Sequence, residues 1–439
     1  MKGGLIHKIV MLKLVYMPKV EEKNLIPREI FPQLISHLEE PEITLLVGAR
    51  QTGKTVLLGM IKEYLLATKR ISSDNILYFN LDIMKDWEFF QSQTEFIKFL
   101  KERAGKDKIY VLIDEAQRVP ECTRFFKGVY DSNLNVKMVL TGSASLELKT
   151  RLRESMAGRK QVFHLFPFSF SEFLQAKNKK LGEFLEKKDI SKLSRKELIS
   201  LFKEYIVWGG YPRVVFSEKK EQKERILAEI YTSYVEKDIV GFLEIKNRLG
   251  FSKLVKLLAG QVGQLVNVNE LSNSLNLDRG TIERYLKALE ETFVISTVSP
   301  YFKNPRQEII KQNKVYFNDT GLRNYAVGNF SEFEERLDAG LILENAVFKE
   351  IAVSLKPLEK IRFWRTKAGS EVDFLVVKGR DILPIEVKLN IKNLRIPLGL
   401  KHYLEKYPTN KALVVNFNIY NKSLDKVNFI HPYEIKAKK

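Results

Sequence analysis

The sequence predicts an α/β protein of several domains, with a parallel sheet in its N-terminal part and a second α/β domain at its C-terminal end. Two observations predict the parallel sheet. The apolar run ITLLV at residues 43–47 leads into the glycine-bounded loop GARQTGKT, and a second apolar run, IYVLIDE at residues 109–115, ends in two acids. A third predicts the C-terminal domain, because the strand-like run SEVDFLVV is followed after a short turn by ILPIEVK. A chain of 439 residues is too long for one compact core, and we expect two to four domains.

The composition indicates a folded and strongly basic protein. Hydrophobic residues make up 44% of the chain and aromatic residues 11%, which is enough to build cores and excludes a disordered chain. The formal net charge is +19, and such an excess favours a polyanion, either nucleic acid or anionic lipid, as partner. A lysine-rich, solvated surface explains the same charge, so both interpretations stay open at this point.

Cysteine usage and hydropathy indicate a cytoplasmic protein. The single cysteine, Cys122, excludes an internal disulfide and fits a reducing compartment. One cysteine and five scattered histidines are too few for a zinc cluster. No apolar run approaches the roughly 20 residues of a membrane span, and the N-terminal residues lack the pattern of a signal peptide. We therefore expect no membrane association.

The loop after the first apolar run has the pattern of a phosphate-binding loop. A run of buried-strand length precedes it, and VLLGMIKEYLLATKR follows with the spacing of an amphipathic helix. Strand, glycine-bounded loop and helix are the context of the Walker A pattern, in which loop N–H groups and the helix N-terminus cradle phosphates. We expect Lys54 to reach the β- and γ-phosphates of ATP and Thr55 to hold Mg²⁺. The predicted nucleotide-binding residues are Gly48, Ala49, Arg50, Gln51, Thr52, Gly53, Lys54 and Thr55.

The acids after the second apolar run fit the hydrolytic half of the same site. Asp114 is expected to contact Mg²⁺, and Glu115 to orient or deprotonate the attacking water, so the sequence predicts that ATP is hydrolysed. Further strand-like runs are ILYFNLD, VKMVLTGS and KQVFHLF. Strands that alternate with helices predict a parallel sheet covered on both faces, with the ligand at the carboxyl ends of the strands.

Three further polar residues are candidates near this site. Thr141 or Ser143 closes the run VKMVLTGS, where a hydroxyl can sense the γ-phosphate. Arg159 follows Gly158 just before the last run, and it is either a phosphate-sensing or finger arginine or an ordinary surface arginine.

Residues 30–240 resemble the AAA+-like P-loop ATPases of archaea and bacteria. The resemblance is carried by GARQTGKT, VLIDEAQ, LTGSAS, ESMAGR and LFPFSFSEF, and it extends to WGGYP and YVEKDIV. In that group the TGS stretch acts as a sensor and the arginine of the AGR stretch lies close by, which implies roles for Ser143 and Arg159 in ATP hydrolysis. The resemblance implies ATP and Mg²⁺ as cofactors, and it allows a homo-oligomer formed through the ATPase domain.

The middle of the chain predicts helices and a winged helix. We expect a P-loop ATPase domain at residues 1–167, a helical lid or linker at residues 168–250 and a winged-helix domain at residues 251–330. The run NELSNSLNLDRGTIERYLKALEE has helix-turn-helix spacing, and VISTVSPY with KVYFND predicts a β-hairpin that serves as the wing.

The winged helix has two open interpretations. Duplex DNA binding is one, and the candidate contacts on the second helix are Arg279, Arg284 and Lys287. The wing adds Lys303, Arg306, Lys311 and Lys314. Packing is the other interpretation, because Glu283, Glu290 and Glu291 lie on the same helix and oppose phosphate contact.

The C-terminal domain, residues 331–439, carries a possible acid–base site. Glu344 lies on the apolar stripe of a predicted helix, and a buried acid needs a partner or a metal. Glu386 and Lys388 share one face of their strand by alternation. If Asp373 on the other strand of the predicted hairpin faces the same side, two carboxylates meet one ammonium. Carboxylates of this kind bind Mg²⁺, which activates water, and a lysine stabilises charge or positions the water.

This pattern resembles the PD-(D/E)XK nuclease superfamily and implies a restriction-endonuclease-like fold. The resemblance implies a metal site formed by Glu344, Asp373 and Glu386, with Asp373, Glu386 and Lys388 as the catalytic set. Val372 stands where that superfamily's motif has proline. Two functions therefore stay open: an ATP-driven enzyme that processes DNA, and a nucleotide-dependent switch whose nuclease-like domain is inactive.

Overall fold

The computed structural model describes residues 25–439, apart from residues 105–106, 144–155, 157, 188–190, 234, 236–244, 246, 303–311, 357 and 408. The chain divides into two compact units, Met1–Phe166 and Pro167–Lys439. Within the described ranges, no helix is both long and apolar enough to cross a membrane.

The N-terminal unit is a parallel sheet with helices between its strands, which confirms the predicted sheet. Its strands are β1 (Ile43–Gly48), β2 (Ile76–Asn80), β3 (Ile109–Asp114), β4 (Val136–Ser143) and β5 (Lys160–Leu165). Its helices are α1 (Phe31–His37), α2 (Lys54–Glu63), α3 (Gln93–Arg103) and α4 (Cys122–Asp131). The strand order is β2-β3-β4-β1-β5, and every pairing is parallel.

Burial explains why these segments became strands. Every residue of β1 and of β3 is buried, as expected for parallel strands covered by helices on both faces. The apolar side of α2 packs on this sheet through Leu57, Leu58 and Ile61, which belong to one core cluster with Leu46 and Leu112. The central strands β1 and β3 therefore end side by side with β4 at a fixed edge of the sheet.

The C-terminal unit begins with helices and ends with a large sheet. The helices that precede its strands are α5 (Phe170–Lys177), α6 (Lys179–Lys187), α7 (Lys192–Trp208), α8 (Pro212–Val215), α9 (Lys220–Ile230), α10 (Arg248–Gly260), α11 (Val268–Leu275) and α12 (Arg279–Glu291). The helix-turn-helix spacing is borne out locally, because α11 ends at a left-handed Asn276 and Asp278 caps α12 by accepting from the Thr281 N–H.

The sheet of this unit has the order β12-β13-β11-β10-β9-β8-β6-β7. Its strands are β6 (Ile295–Pro300), β7 (Lys314–Phe317), β8 (Lys360–Arg365), β9 (Glu371–Lys378), β10 (Asp381–Val387), β11 (Ala412–Val415), β12 (Lys422–Leu424) and β13 (Val427–Ile430). The remaining helices are α13 (Thr320–Val327), α14 (Ala339–Val353), α15 (Leu398–Lys406) and α16 (Ile435–Lys438). Strands β8, β9 and β10 form an antiparallel meander, and β11 runs parallel to β10.

The hairpin expected as a wing belongs to this sheet instead. Strands β6 and β7 pair with each other, and β6 also pairs with β8 through Ser299 and Pro300. Every residue of β7 is buried, so the hairpin needs cover on both faces and cannot project into solvent as a wing does. The expected boundary at residue 330 therefore falls inside one continuous sheet, while Lys303, Arg306 and Lys311 lie outside the described residues.

The WGGYP turn at residues 208–212 connects α7 to α8 and contacts Asp319, the N-cap residue of α13. Gly209 has φ +76°, and a Cβ there would lie 2.2 Å from the Asp319 carboxylate. A Cβ on Gly210 would lie 2.2 Å from the Phe168 carbonyl oxygen, and the Gly210 N–H donates to Asp319 at 2.8 Å. Two glycines are required because the backbones approach so closely. The residues expected to form a separate lid are thus packed against α13 and α14.

Candidate active sites

The phosphate-binding loop connects β1 to α2, and its two glycines have separate structural reasons. A Cβ on Gly48 would lie 2.3 Å from the Leu165 carbonyl oxygen of β5, so only glycine allows the two strands to pack here. Gly53 has φ +99°, and Gln51 also lies in the left-handed region at φ +61°. This backbone path brings the loop directly to the N-terminus of α2, where unpaired N–H groups and the helix dipole favour phosphate.

Lys54 lies buried under the loop. Its Nζ donates to the carbonyl oxygens of Gly48 at 3.1 Å and Ala49 at 2.9 Å. Burial lowers the pKa of Lys54, while Glu115 and Asp114 act in the opposite direction. An ammonium held by loop carbonyls is already positioned beside the space where the loop presents its N–H groups to phosphates.

Thr55 and Asp114 meet at the carboxyl ends of the strands. The Thr55 hydroxyl donates to one carboxylate oxygen of Asp114 at 2.6 Å, and the Thr141 hydroxyl donates to the other. Asp114 is 2% exposed, so these two hydroxyls take the place of water as its hydrogen-bond donors. A hydroxyl and a carboxylate that converge at a phosphate loop are the donor set that Mg²⁺ with ATP requires, and this part of the predicted metal site fits the ion.

Glu115 follows β3 in a left-handed conformation at φ +56°. A non-glycine residue in this region is uncommon and often marks a functional turn. Its N–H donates to the Thr141 hydroxyl at 3.3 Å, and the Gln117 amide donates to its carboxylate. Thr141, one of the two hydroxyls expected to sense the γ-phosphate, therefore contacts the backbone of Glu115, the expected water-positioning acid.

The other two predicted ATPase residues are Ser143 and Arg159, and the structure places only the side chain of Arg159. Ser143 ends β4, and its side chain lies outside the described residues. Arg159 precedes β5, and the next residue, Lys160, pairs with Ile43 at the start of β1. Since a strand rises about 3.3 Å per residue, Arg159 lies roughly 17 Å from the loop that follows Gly48, at the opposite edge of the sheet. It forms an ion pair with Asp131 at 2.7 Å, so the geometry contradicts contact with phosphates of its own subunit.

Arg28 supports the loop and was not predicted. Its guanidinium donates to the Thr52 carbonyl at 2.7 Å and to the Phe166 carbonyl at 2.7 Å. It is 6% exposed and so connects the phosphate loop with the end of β5. No sequence motif surrounds Arg28, and only the folded sheet brings it to the loop.

The three cations predicted to contact DNA lie on the exposed side of α12. Arg279 pairs with Glu283 at 2.9 Å and Lys287 approaches Glu291 at 3.9 Å. The Arg284 guanidinium lies 5.8 Å from the centre of the Tyr285 ring. The acids on this helix thus engage two of the three cations, at exposed positions where such pairs are weak.

The C-terminal sheet brings the predicted acids and lysine together. The Val387 N–H donates to Asp373 at 2.8 Å, and Lys388 pairs with Glu386 at 2.7 Å. Asp373 is 8% exposed and Glu386 3%. The second carboxylate oxygen of Glu386 is buried and has no hydrogen-bond partner among the described residues.

Glu344 from α14 reaches the same cluster but has a different partner from the predicted one. Lys314, the first residue of β7, lies 3.2 Å from Glu344 and 2.5 Å from Glu371. The Tyr316 hydroxyl donates to the same Glu344 oxygen at 2.6 Å. Lys314 is 2% exposed, so its expected role as a wing residue that contacts DNA is wrong. The alternating strand buried it against the acids.

The acids of this cluster repel one another. Burial, followed by the charge of Asp373, raises the pKa of Glu344 to about 7 even though Lys314 opposes the shift. The same two causes raise the pKa of Glu386 to about 8 against the effect of Lys388. Burial alone would lower the pKa of Lys314, but Glu344, Asp373 and Glu371 together raise it.

The cluster does not fit the predicted metal site as it stands. In the part of the chain that the structure describes, no group of three or more His, Cys, Asp or Glu side chains is placed to hold a metal ion. The oxygen of Glu344 that faces Lys314 already accepts from two donors, and one oxygen of Asp373 accepts a backbone N–H. In this geometry Glu344, Asp373 and Glu386 are thus not assembled as one metal-holding group, and the metal site stays a prediction.

Comparison with known proteins agrees with the division into an ATPase unit and a second part. Residues 40–174 match the model described as "AAA domain". Residues 199–332 and 339–435 match two domains of unknown function, DUF8612 and DUF4143. The fold and the loop geometry together make the N-terminal unit an ATPase domain of the AAA type.

Relatives extend over nearly the whole chain. An uncharacterized protein of Haemophilus influenzae is 30% identical over 425 residues, which cover 93% of this chain and 98% of that relative. The chain belongs to the same family as this protein. An uncharacterized protein of Methanocaldococcus jannaschii is 25% identical over 401 residues, 89% of this chain and 85% of the relative. Among solved structures, a Walker-type ATPase of Pyrococcus abyssi is similar with a TM-score of 0.43 and 16% identity, over 71% of this chain and 98% of that one.

Proposed function

We propose that this protein is an ATP-hydrolysing enzyme that acts on DNA in the cytoplasm. The observation that carries the ATPase part is the contact of 2.6 Å between the Thr55 hydroxyl and Asp114, directly beside the buried Lys54. Lys54 and Thr55 are the first two residues of α2, and Asp114 is the last residue of β3. The parallel sheet brings Asp114 to the start of α2 although it lies 59 residues from Thr55 in sequence.

Each residue of the site has a defined task in this proposal. The loop N–H groups and Lys54 bind and orient the phosphates. Thr55 and Asp114 would hold Mg²⁺, which when bound neutralises charge on the β- and γ-phosphates. Glu115 positions the attacking water and accepts its proton. Thr141 touches Asp114 and the Glu115 N–H, so it relates the metal-holding acid to the water-positioning acid.

The ATPase part is tested with a lysine pair. Lys54→Ala removes the ammonium at the phosphates and should abolish binding of a fluorescent ATP analogue and turnover of ATP. Lys69→Ala is the control, because Lys69 is an exposed lysine of the same unit that pairs with Glu39 at 2.7 Å. Normal ATP binding by the Lys54 variant would show that the loop assignment is wrong.

The DNA part rests on the net charge of +19 and on the three exposed cations of α12. Replacing Arg279, Arg284 and Lys287 together by alanine should weaken duplex DNA binding and reduce the slope of log affinity against log salt. The matched control replaces three exposed cations at α9, namely Lys219, Lys220 and Arg225. Equal losses from both triple variants would place DNA contact elsewhere than on α12.

A second candidate function is a nucleotide-dependent switch with an inactive nuclease-like domain. The ion pair between Lys314 and Glu344 favours it, because the nuclease resemblance assigns that acid to the metal. A homo-oligomer formed through the ATPase unit stays a further prediction. Arg159 lies at the far edge of the sheet, so any role in ATP hydrolysis would be toward the nucleotide of a neighbouring copy.

A further inference from the structure

The acidic cluster of the C-terminal unit contains a cation of its own. Lys314 enters it from the hairpin β6–β7, and its Nζ lies 3.2 Å from Glu344 and 2.5 Å from Glu371. The ammonium also lies 5.5 Å from the centre of the Phe363 ring. Its surroundings are therefore two carboxylates and an aromatic face, and water has little access to a side chain that is 2% exposed.

A lysine in such a place must be stabilised by its partners. Taking an ammonium out of water costs several kcal/mol unless close carboxylates offset the loss. Here they do, because Tyr316 orients Glu344 at 2.6 Å and Arg365 holds the other oxygen of Glu371 at 3.0 Å. The acids are aimed at Lys314 by groups that are themselves fixed in the sheet.

The same contacts work against a divalent cation. Mg²⁺ requires oxygens at about 2.0–2.1 Å in a near-octahedral arrangement, and an ammonium at the same carboxylate repels it. A divalent ion that took this Glu344 oxygen as a ligand would displace Lys314 from it and leave the buried ammonium with Glu371 as its close carboxylate partner. Of the residues that the nuclease resemblance assigns to Mg²⁺, Glu344 is thus already paired with Lys314 and Glu386 with Lys388.

We propose that Lys314 is the resident cation of this site and takes the place of a divalent metal. The C-terminal domain then does not hydrolyse phosphodiester bonds. Its acids instead fix the hairpin β6–β7 to the sheet. This inference concerns the C-terminal unit and holds whether or not the protein hydrolyses ATP.

The first test uses the full chain carrying Asp114→Asn, which silences the ATPase metal site. Thermal unfolding is followed with and without MnCl₂, and plasmid and branched DNA are incubated with the same ion. We expect no shift in Tm and no cleavage. A rise in Tm or a cleavage product that Asp373→Asn removes would overturn the proposal. ATP turnover enters neither readout and the Tm readout needs no DNA, so failure here is distinct from failure of the proposed ATPase.

The second test removes the resident cation. Lys314→Gln in the same background leaves Glu344 without its ammonium partner, and we expect the variant to gain Mn²⁺ binding. At about 100 times its Kd the ion should raise Tm by about 5 °C in a unit of this size, and adding Asp373→Asn should remove the gain. Lys349→Gln is the matched control, since Lys349 is 1% exposed and pairs with Asp319 at 3.4 Å outside this cluster. A Lys314 variant as indifferent to Mn²⁺ as the Lys349 variant would refute the role of Lys314. If the Lys314 variant does not fold, the first test still decides.

Discussion

Replacing Thr55 by alanine should impair ATP hydrolysis by removing one hydroxyl. That hydroxyl donates to Asp114 at 2.6 Å, and the acceptor is 2% exposed. A hydrogen bond to a buried charge contributes about 2 kcal/mol. Loss of that stabilisation at the reacting phosphates corresponds to roughly a 30-fold lower kcat/KM. Thr141 still donates to the other oxygen of Asp114, so the carboxylate stays in place and the protein should remain folded.

The assay is steady-state release of phosphate at saturating Mg²⁺, with Thr55→Ser as the matched control. Serine keeps the hydroxyl and loses only a methyl group, so its kcat/KM should stay within about threefold of the wild-type value. Circular dichroism and Tm show whether either variant is misfolded. If the alanine and serine variants both kept the wild-type kcat/KM, the assigned role of the hydroxyl would be refuted. If both lost kcat/KM equally, the methyl group and its packing would be the cause of the loss.

Three further outcomes follow from other contacts. Gly210→Ala places a Cβ against the Phe168 carbonyl oxygen and should lower the free energy of unfolding by about 2 kcal/mol and Tm by about 5 °C. The control is Gly340→Ala, where nothing lies within 4 Å of the added Cβ, and it should change neither quantity. Arg28→Ala removes two hydrogen bonds, one to the loop and one to the end of β5. It should raise the KM for ATP about tenfold with less effect on kcat. A change in kcat alone would contradict this role of Arg28. Because the pKa of Glu386 is raised from 4.5 to about 8, Glu386 keeps its proton to a higher pH in the folded state than in the unfolded state. Stability should therefore fall from about pH 5 to pH 8, and Glu386→Gln should flatten that part of the Tm profile.

The ATPase unit was largely predictable because its information is local. The strand, loop and helix around Lys54 are contiguous, and the two acids directly follow a second strand. The position of Arg159 directly before a strand already indicated that it lies far from the phosphate loop. A residue that precedes a parallel strand lies at the amino edge of the sheet, whereas ligands bind at the carboxyl edge.

The C-terminal unit was harder to predict because its decisive contacts are distant in sequence. Alternation along the strands correctly placed Asp373 near Glu386, but nothing local indicated that β6 pairs with β8 about sixty residues later. Without knowledge of that pairing, the sequence predicts Lys314 to be an exposed cation of a wing. Arg28 was missed for the same reason, since its acceptors, Thr52 and Phe166, lie 24 and 138 residues away.

The shared sheet has a consequence for how this protein can be divided and inherited. A fragment beginning at residue 331 would lack β6, β7 and Lys314, and β8 would become an open edge able to pair with other chains. Its acids would also lack the ammonium that neutralises them. The hairpin β6–β7 and the acid-bearing strands therefore form one sheet across the boundary between two sequence domains. Recombination that exchanged either sequence domain alone would break a sheet, so we expect the two to be transferred together.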